Sequence, residues 1–183
     1  ITAHTIPPGQ IEQIGANHLF QLGELNGSTS ARCTQIQQVL AATGIETYAL
    51  TDILEKMWWK LAAICGIAGV FSVVRGNAGL IGSTVETLNL VHQSVAECVA
   101  VAQARQIALS ADVAELVINF VKGAPPTIKP SMLVDLEQGK RLEVDWLNGK
   151  IARLGRELGV STPVNDFIYA CLKPYANGVQ TQK

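Results

Sequence analysis

The chain has 183 residues, 48% of them hydrophobic and 16% charged, a balance that supplies a buried core and excludes a disordered polymer. Its 14 basic and 15 acidic residues give a net charge of -1 with no basic run, which argues against a nucleic-acid partner, because a phosphate backbone is met by clustered Lys and Arg. The length fits one domain, or one domain with part of another.

Cys33, Cys65, Cys98 and Cys171 lie far apart, with no Cys-x-x-Cys pair and no His at ligand spacing. This points away from a zinc site or a dense disulfide framework and towards a reduced, cytoplasmic chain. The most apolar run, Leu61 to Val74, is shorter than the about 20 residues that a bilayer span needs, so a buried helix is expected and no membrane partner. Ile1 to Ile6 reads as a strand already under way, without the charged start of a signal peptide. The chain is therefore expected to begin inside a larger protein.

In chain order, Ile1 to Ile6 and His18 to Leu22 read as short strands, separated by Pro7-Pro8-Gly9 and closed by Asn26-Gly27, which is turn chemistry. Ser30 to Ala42 carries Cys33, Ile36, Val39 and Leu40 at helical spacing, stops at Gly44 and leads into a strand over Ile45 to Leu50. Strand, helix, strand is the order expected at the tail of an α/β domain.

From Thr51 the pattern is helical, with Thr51 or Asp52 as N-cap and an apolar run through Trp58, Trp59, Leu61, Ile64, Ile67 and Phe71. Gly76 to Gly82 interrupts it as a helix-to-helix connection. Ser83-Thr84-Val85-Glu86 has the spacing of a capping box and starts a helix expected to reach Leu109. The next runs from Ser110 or Asp112 to Lys122 and breaks at Gly123-Ala124-Pro125-Pro126. Pro130-Ser131 opens another, proline being preorganised for a first turn. Gly139, Gly159 and Thr162-Pro163 punctuate the last three helices, and the tail after Pro174 is expected to fray.

Lys60 follows two tryptophans and heads an apolar helix. Either desolvation makes its ammonium a ready proton donor at neutral pH, or its stem lies along the tryptophans with the charge in water. Further on, Leu142, Trp146, Ile151, Leu154 and Leu158 keep helical spacing straight through Asn148-Gly149, a pair typical of hairpin turns. A glycine inside a helix costs up to about 1 kcal/mol relative to alanine, so it marks a place where another backbone or a ligand comes close. Around Glu143, either a polar site gathers or Lys140, Glu143 and Lys150 form a solvated face.

Other signals are weak. Gly76-x-x-Gly79-x-x-Gly82 lacks the Gly-x-Gly-x-x-Gly order of a phosphate loop. His4, His18 and His92 have no partnering Ser or Cys arrangement, so neither a hydrolytic triad nor a metal cluster is expected.

Trp58-x-Lys60, Ser131-Met132-x-x-Asp135 and Glu143-x-Asp145-x-x-Asn148-Gly149, ending in Gly159-Val160-x-Thr162-Pro163-x-Asn165, together resemble the C-terminal domain of ketopantoate reductase (2-dehydropantoate 2-reductase). Gly23-Glu24-Leu25-Asn26-Gly27, with the helix and strand after it, is similar to the end of that family's nucleotide-binding domain. The resemblance implies a mainly α fold: a helical substrate and dimerisation domain of the 6-phosphogluconate dehydrogenase C-terminal-like type at 51–174, a short α/β remnant of a Rossmann-type domain at 1–50, and a flexible tail at 175–183.

The same resemblance implies an oxidoreductase that uses NADPH to convert 2-dehydropantoate to pantoate in pantothenate biosynthesis. A lysine at the position of Lys60 gives its proton to the carbonyl oxygen, removing charge that the site would otherwise have to stabilise. Glu143 engages the cofactor, Ser131 hydrogen-bonds the substrate, and Asn77 falls near the family's loop asparagine, in a loop one residue shorter here. The implied partners are a small 2-oxo acid and a second copy of the chain, bound through the helical domain. The main NADPH-binding motif is absent from these residues.

Two positions depart from the family. Asparagines usually stand four and eight residues after the lysine, where this chain has Ile64 and Ala68. An apolar side chain cannot replace an amide that pairs with a hydroxyl or carboxylate, so either the substrate is a different, less polar 2-oxo acid or the fold has drifted from the reaction. The alternative function is a non-catalytic dimerisation or interaction module, motivated by those losses and by the apolar segments Leu61 to Val74 and Val85 to Val101.

Overall fold

Two strands, β1 (Thr2–Thr5) and β2 (Ile11–Ile14), pair antiparallel across a turn at Pro8-Gly9, with Thr2 opposite Ile14 and Thr5 opposite Ile11. β2 adds to the expected elements; four residues are too few for their alternation to stand out from a loop. The computed structural model describes residues 2–5, 8–14 and 19–178. The chain divides into two units, Ile1–Lys56 and Met57–Lys183.

In the first unit β3 (Phe20–Leu22) and β4 (Thr47–Ala49) run parallel, Phe20 beside Thr47, and are joined by helix α1 (Ala31–Ala42). A helical crossover is what two neighbouring parallel strands require. Ser30 caps α1 by accepting the Cys33 N–H through its hydroxyl oxygen at 3.2 Å, and its own O–H donates to Glu24 at 2.6 Å. Arg32 Nε donates to the same Glu24 oxygen at 2.6 Å. These bonds, Arg32 first, hold the Glu24 carboxyl down to about 2.

The rest is helical: α2 (Ile53–Val74), α3 (Ala78–Ser83), α4 (Val85–Ala104), α5 (Val113–Gly123), α6 (Ser131–Glu137), α7 (Asn148–Leu158) and α8 (Pro163–Leu172), then a 3-10 turn over Lys173–Tyr175. The fold is mainly α, as expected. α4 is central to the second unit and packs on α3, α5, α7 and α8. It buries Val91, Val95, Cys98, Val99, Val101 and Ala102. A Cβ placed on Gly66 of α2 would stand 2.6 Å from the Val95 side chain and 3.2 Å from the Val91 carbonyl oxygen, so a glycine lets α2 and α4 approach closely.

α2 is longer than the apolar run suggested. Its 22 residues are enough, by length and composition, to cross a bilayer. Within the second unit, however, Ala62, Cys65, Val70 and Phe71 belong to the buried core, which is how a core helix uses its apolar face. Part of each apolar segment, Leu61 to Val74 and Val85 to Val101, is thus buried inside this chain.

Four local expectations are corrected. Ser83 ends α3, and both its hydroxyl and that of Thr84 donate back to the Leu80 carbonyl, at 3.2 and 2.9 Å, so the capping box does not form. α4 stops at Ala104 because the chain turns through Gln106, whose φ is 62°. The helical spacing through Asn148-Gly149 is not one helix: α7 begins at Asn148, and Trp146 is 67% exposed in the turn before it. The tail stays folded past Pro174, since Ala176 is buried and its carbonyl accepts the Leu142 N–H at 3.0 Å. Residues 179–183 lie outside the described residues.

Candidate functional site

Lys60, Ile64 and Ala68 are four residues apart along α2, so they share one face, and Ile67 lies beside them. That face forms one wall of a cavity of about 310 Å³. Val117 and Phe120 of α5, three apart on the same face, also line it. Pro130 and Ser131 at the start of α6 and Glu143 in the α6–α7 connection complete it, together with Trp59 and Ala63.

The three candidates Lys60, Ser131 and Glu143 therefore line one cavity, although 83 positions separate the first from the last in sequence. All three are exposed, whereas Ala63 and Ala68 are buried. Eight of the eleven lining residues are apolar. Among the described residues no side-chain hydrogen bond or ion pair engages Lys60, Ser131 or Glu143. The cavity thus presents one cation, one hydroxyl and one anion, each free for a ligand, beside hydrophobic walls. The exposure of Lys60 fits a stem lying on apolar surface with the charge in water.

Asn77 is placed elsewhere. Its Oδ1 accepts the Leu80 N–H at 3.0 Å and caps α3, and it does not line the cavity. Sequence reasoning missed Val117 and Phe120, whose α5 periodicity marks an apolar face without saying what it borders. Gly149 is answered by a side chain: a Cβ there would stand 2.6 Å from the Tyr169 ring.

A largely buried polar network joins α7 and α8 to α2 and α4. Asn148 Nδ2 donates to the Cys65 carbonyl of α2 at 3.1 Å and to Asn165 Oδ1 at 2.9 Å. Asn165 Nδ2 donates to the Ser94 carbonyl at 3.0 Å and to Glu97 at 2.7 Å. Glu97 also accepts the backbone N–H groups of Val164 and Asn165, at 2.8 and 2.9 Å. The first turn of α8 is thus capped by a carboxylate from α4, where the free amides and the helix dipole favour negative charge. Asp145 accepts from Tyr169 Oη and Lys173 Nζ, both at 2.7 Å. Lys173, then Tyr169, holds the Asp145 carboxyl below the usual range.

Residues 52–176 match the family described as ketopantoate reductase PanE/ApbA C terminal. The chain belongs to the ketopantoate reductase family. It is 31% identical over 150 residues to a 2-dehydropantoate 2-reductase of Mycobacterium tuberculosis, covering 82% of this chain and 50% of the relative. With that of Caulobacter vibrioides it shares 34% over 138 residues, 75% of this chain and 47% of the relative. The chain thus spans about half the length of the curated relatives it matches.

Among solved structures it is similar to the 2-dehydropantoate 2-reductase of Methylococcus capsulatus, with a TM-score of 0.83, 28% identity, and coverage of 95% of this chain and 60% of that one. It is also similar to D-mandelate dehydrogenase in a ternary structure with NADH and anilino(oxo)acetate, with a TM-score of 0.82, 25% identity, and coverage of 96% and 57%. In this ketopantoate reductase C-terminal domain, the Asn148-Gly149 and Thr162-Pro163-x-Asn165 motifs hold helices together. Lys60, Ser131 and Glu143 are the motif residues that line the cavity.

Proposed function

We propose that this chain forms the substrate-binding part of a reductase that converts a 2-oxo acid to the 2-hydroxy acid. The carrying observation is that Lys60, Ser131 and Glu143, none engaged by another side chain, line one cavity with largely apolar walls. The names of the four relatives support it, three reductases and one dehydrogenase. The resemblance suggests ketopantoate as substrate, a place in pantothenate biosynthesis, a cytoplasmic setting and a dimer of helical domains.

The chain holds no Gly-x-Gly-x-x-Gly turn, so its residues fit only the reacting end of a dinucleotide, with Glu143 as the group that meets it. When bound, a reduced nicotinamide supplies hydride to the carbonyl carbon. Lys60 Nζ gives a proton to the carbonyl oxygen as the C=O electron pair moves onto it, leaving a neutral amine and the 2-hydroxy acid. Ser131 donates its O–H to the substrate and fixes its orientation.

The chain linked to the nucleotide-binding half of a curated relative tests this. Oxidation of NADPH and of NADH is followed with ketopantoate and related 2-oxo acids, which also decides the cofactor. Lys60→Ala is expected to lower kcat by at least roughly a hundredfold, the lower end for a positioned general acid. An unchanged rate removes Lys60 from the mechanism. A stable dimer that binds neither cofactor nor any oxo acid favours the interaction module.

A further inference from the structure

We infer that the cavity selects a 2-oxo acid whose side chain is branched and wholly apolar over one that carries a hydroxyl, with Ile64 and Ala68 as the discriminating positions. This deepens the reductase reading and rests on it. The three polar side chains of the cavity are already committed by that reading: Lys60 to the carbonyl oxygen, Ser131 to the substrate's polar end and Glu143 to the cofactor. The remaining lining is Trp59, Ala63, Ile64, Ile67, Ala68, Val117, Phe120 and Pro130, and apart from the Trp59 indole N–H their side chains carry no hydrogen-bonding group. Ala68 is only 4% exposed and Ile64 half-buried, and the backbone polar groups of α2 are occupied within the helix.

A hydroxyl placed against Ile64 and Ala68 gives up water and finds no partner, whereas a methyl group there gains apolar contact. The chemistry that fits is thus a compact branched aliphatic 2-oxo acid.

Ketopantoate and trimethylpyruvate make a matched pair, because they differ by a single hydroxyl. In the chain linked to a nucleotide-binding half, kcat/KM for trimethylpyruvate is expected to exceed that for ketopantoate on the order of ten- to hundredfold, the range by which an apolar pocket rejects an added hydroxyl. Ile64→Asn is expected to lower that ratio roughly tenfold or more by giving the hydroxyl a partner. Phe120→Ser, at a side chain 64% exposed and so removable without opening the core, is expected to lower it in the same direction. Calorimetric titration of the chain itself with the two acids reads the same preference without turnover. Equal or better use of ketopantoate overturns the inference and leaves the reductase reading in place. If neither acid is consumed or bound, the reductase reading fails and the inference falls with it.

Discussion

Asn148 and Asn165, neither with any exposed surface, meet through a 2.9 Å hydrogen bond from Nδ2 of the first to Oδ1 of the second. Through them α2, α4, α7 and α8 are joined by polar contacts rather than by apolar packing alone. Asn165→Ala removes one of the two acceptors of Asn148 Nδ2, one donor to Glu97 and the acceptor of the buried Ser94 hydroxyl. A cost of about 2–4 kcal/mol is expected, larger than a single exposed hydrogen bond. Urea unfolding of the variant measures it, and a change near zero shows that the network holds nothing together.

Gly149 sets helix propensity against packing. Alanine gains up to about 1 kcal/mol in a helix interior, but overpacking a core site costs about 1–3 kcal/mol, and the Tyr169 ring stands 2.6 Å from where the new Cβ would lie. Gly149→Ala is therefore expected to lower the melting temperature. Gly123, where a Cβ meets nothing within 4 Å, supplies the control: Gly123→Ala is expected to be neutral or slightly stabilising. The opposite order in thermal melts contradicts this account.

The Asp145–Lys173 pair predicts a stability window in pH. Asp145 is held below its ordinary range, chiefly by Lys173 and then Tyr169, so its contribution is present above the unfolded carboxylate range and is lost as pH falls through the folded value. Lys173 is raised, chiefly by Asp145, so its contribution is present below the unfolded lysine range and lost as pH rises through the folded value. Both side chains are partly exposed, 33% and 50%, so solvent screening keeps the effect small. Asp145→Asn should destabilise between these limits and become indistinguishable from the parent in acid. A constant difference across the acid range removes the ion pair as its cause.

The chain alone is expected to bind NADPH negligibly, because it has no glycine-rich strand-to-helix turn to cradle the pyrophosphate. Fluorescence titration checks this, and micromolar binding shows that the remaining residues suffice.

Helical periodicity made the Lys60, Ile64 and Ala68 stripe legible, because residues four apart share a face whatever surrounds them. The convergence of Ser131 and Glu143 on that stripe was reached only through family resemblance, since spacing carries no information about which loops meet. Ser83 shows why capping motifs mislead: the same four residues fit a box, but a short helix ending at Ser83 gave the hydroxyl a nearer acceptor in Leu80. Tyr169 against Gly149 and Glu97 at the start of α8 involve pairings across many residues, which no local pattern records.

Glu97 lies 67 residues before the amide of Val164 that it caps. α8 has ten residues, too few to hold a helix in water alone, and all eleven cavity residues precede Pro163. A polypeptide emerging from the ribosome therefore carries every group of the site before the segment that secures its scaffold has been made. Assembly of the site is then a terminal docking event, and amide exchange on a chain ended at Ser161 should find the cavity helices poorly protected. Protection equal to that of the complete chain contradicts this order of assembly.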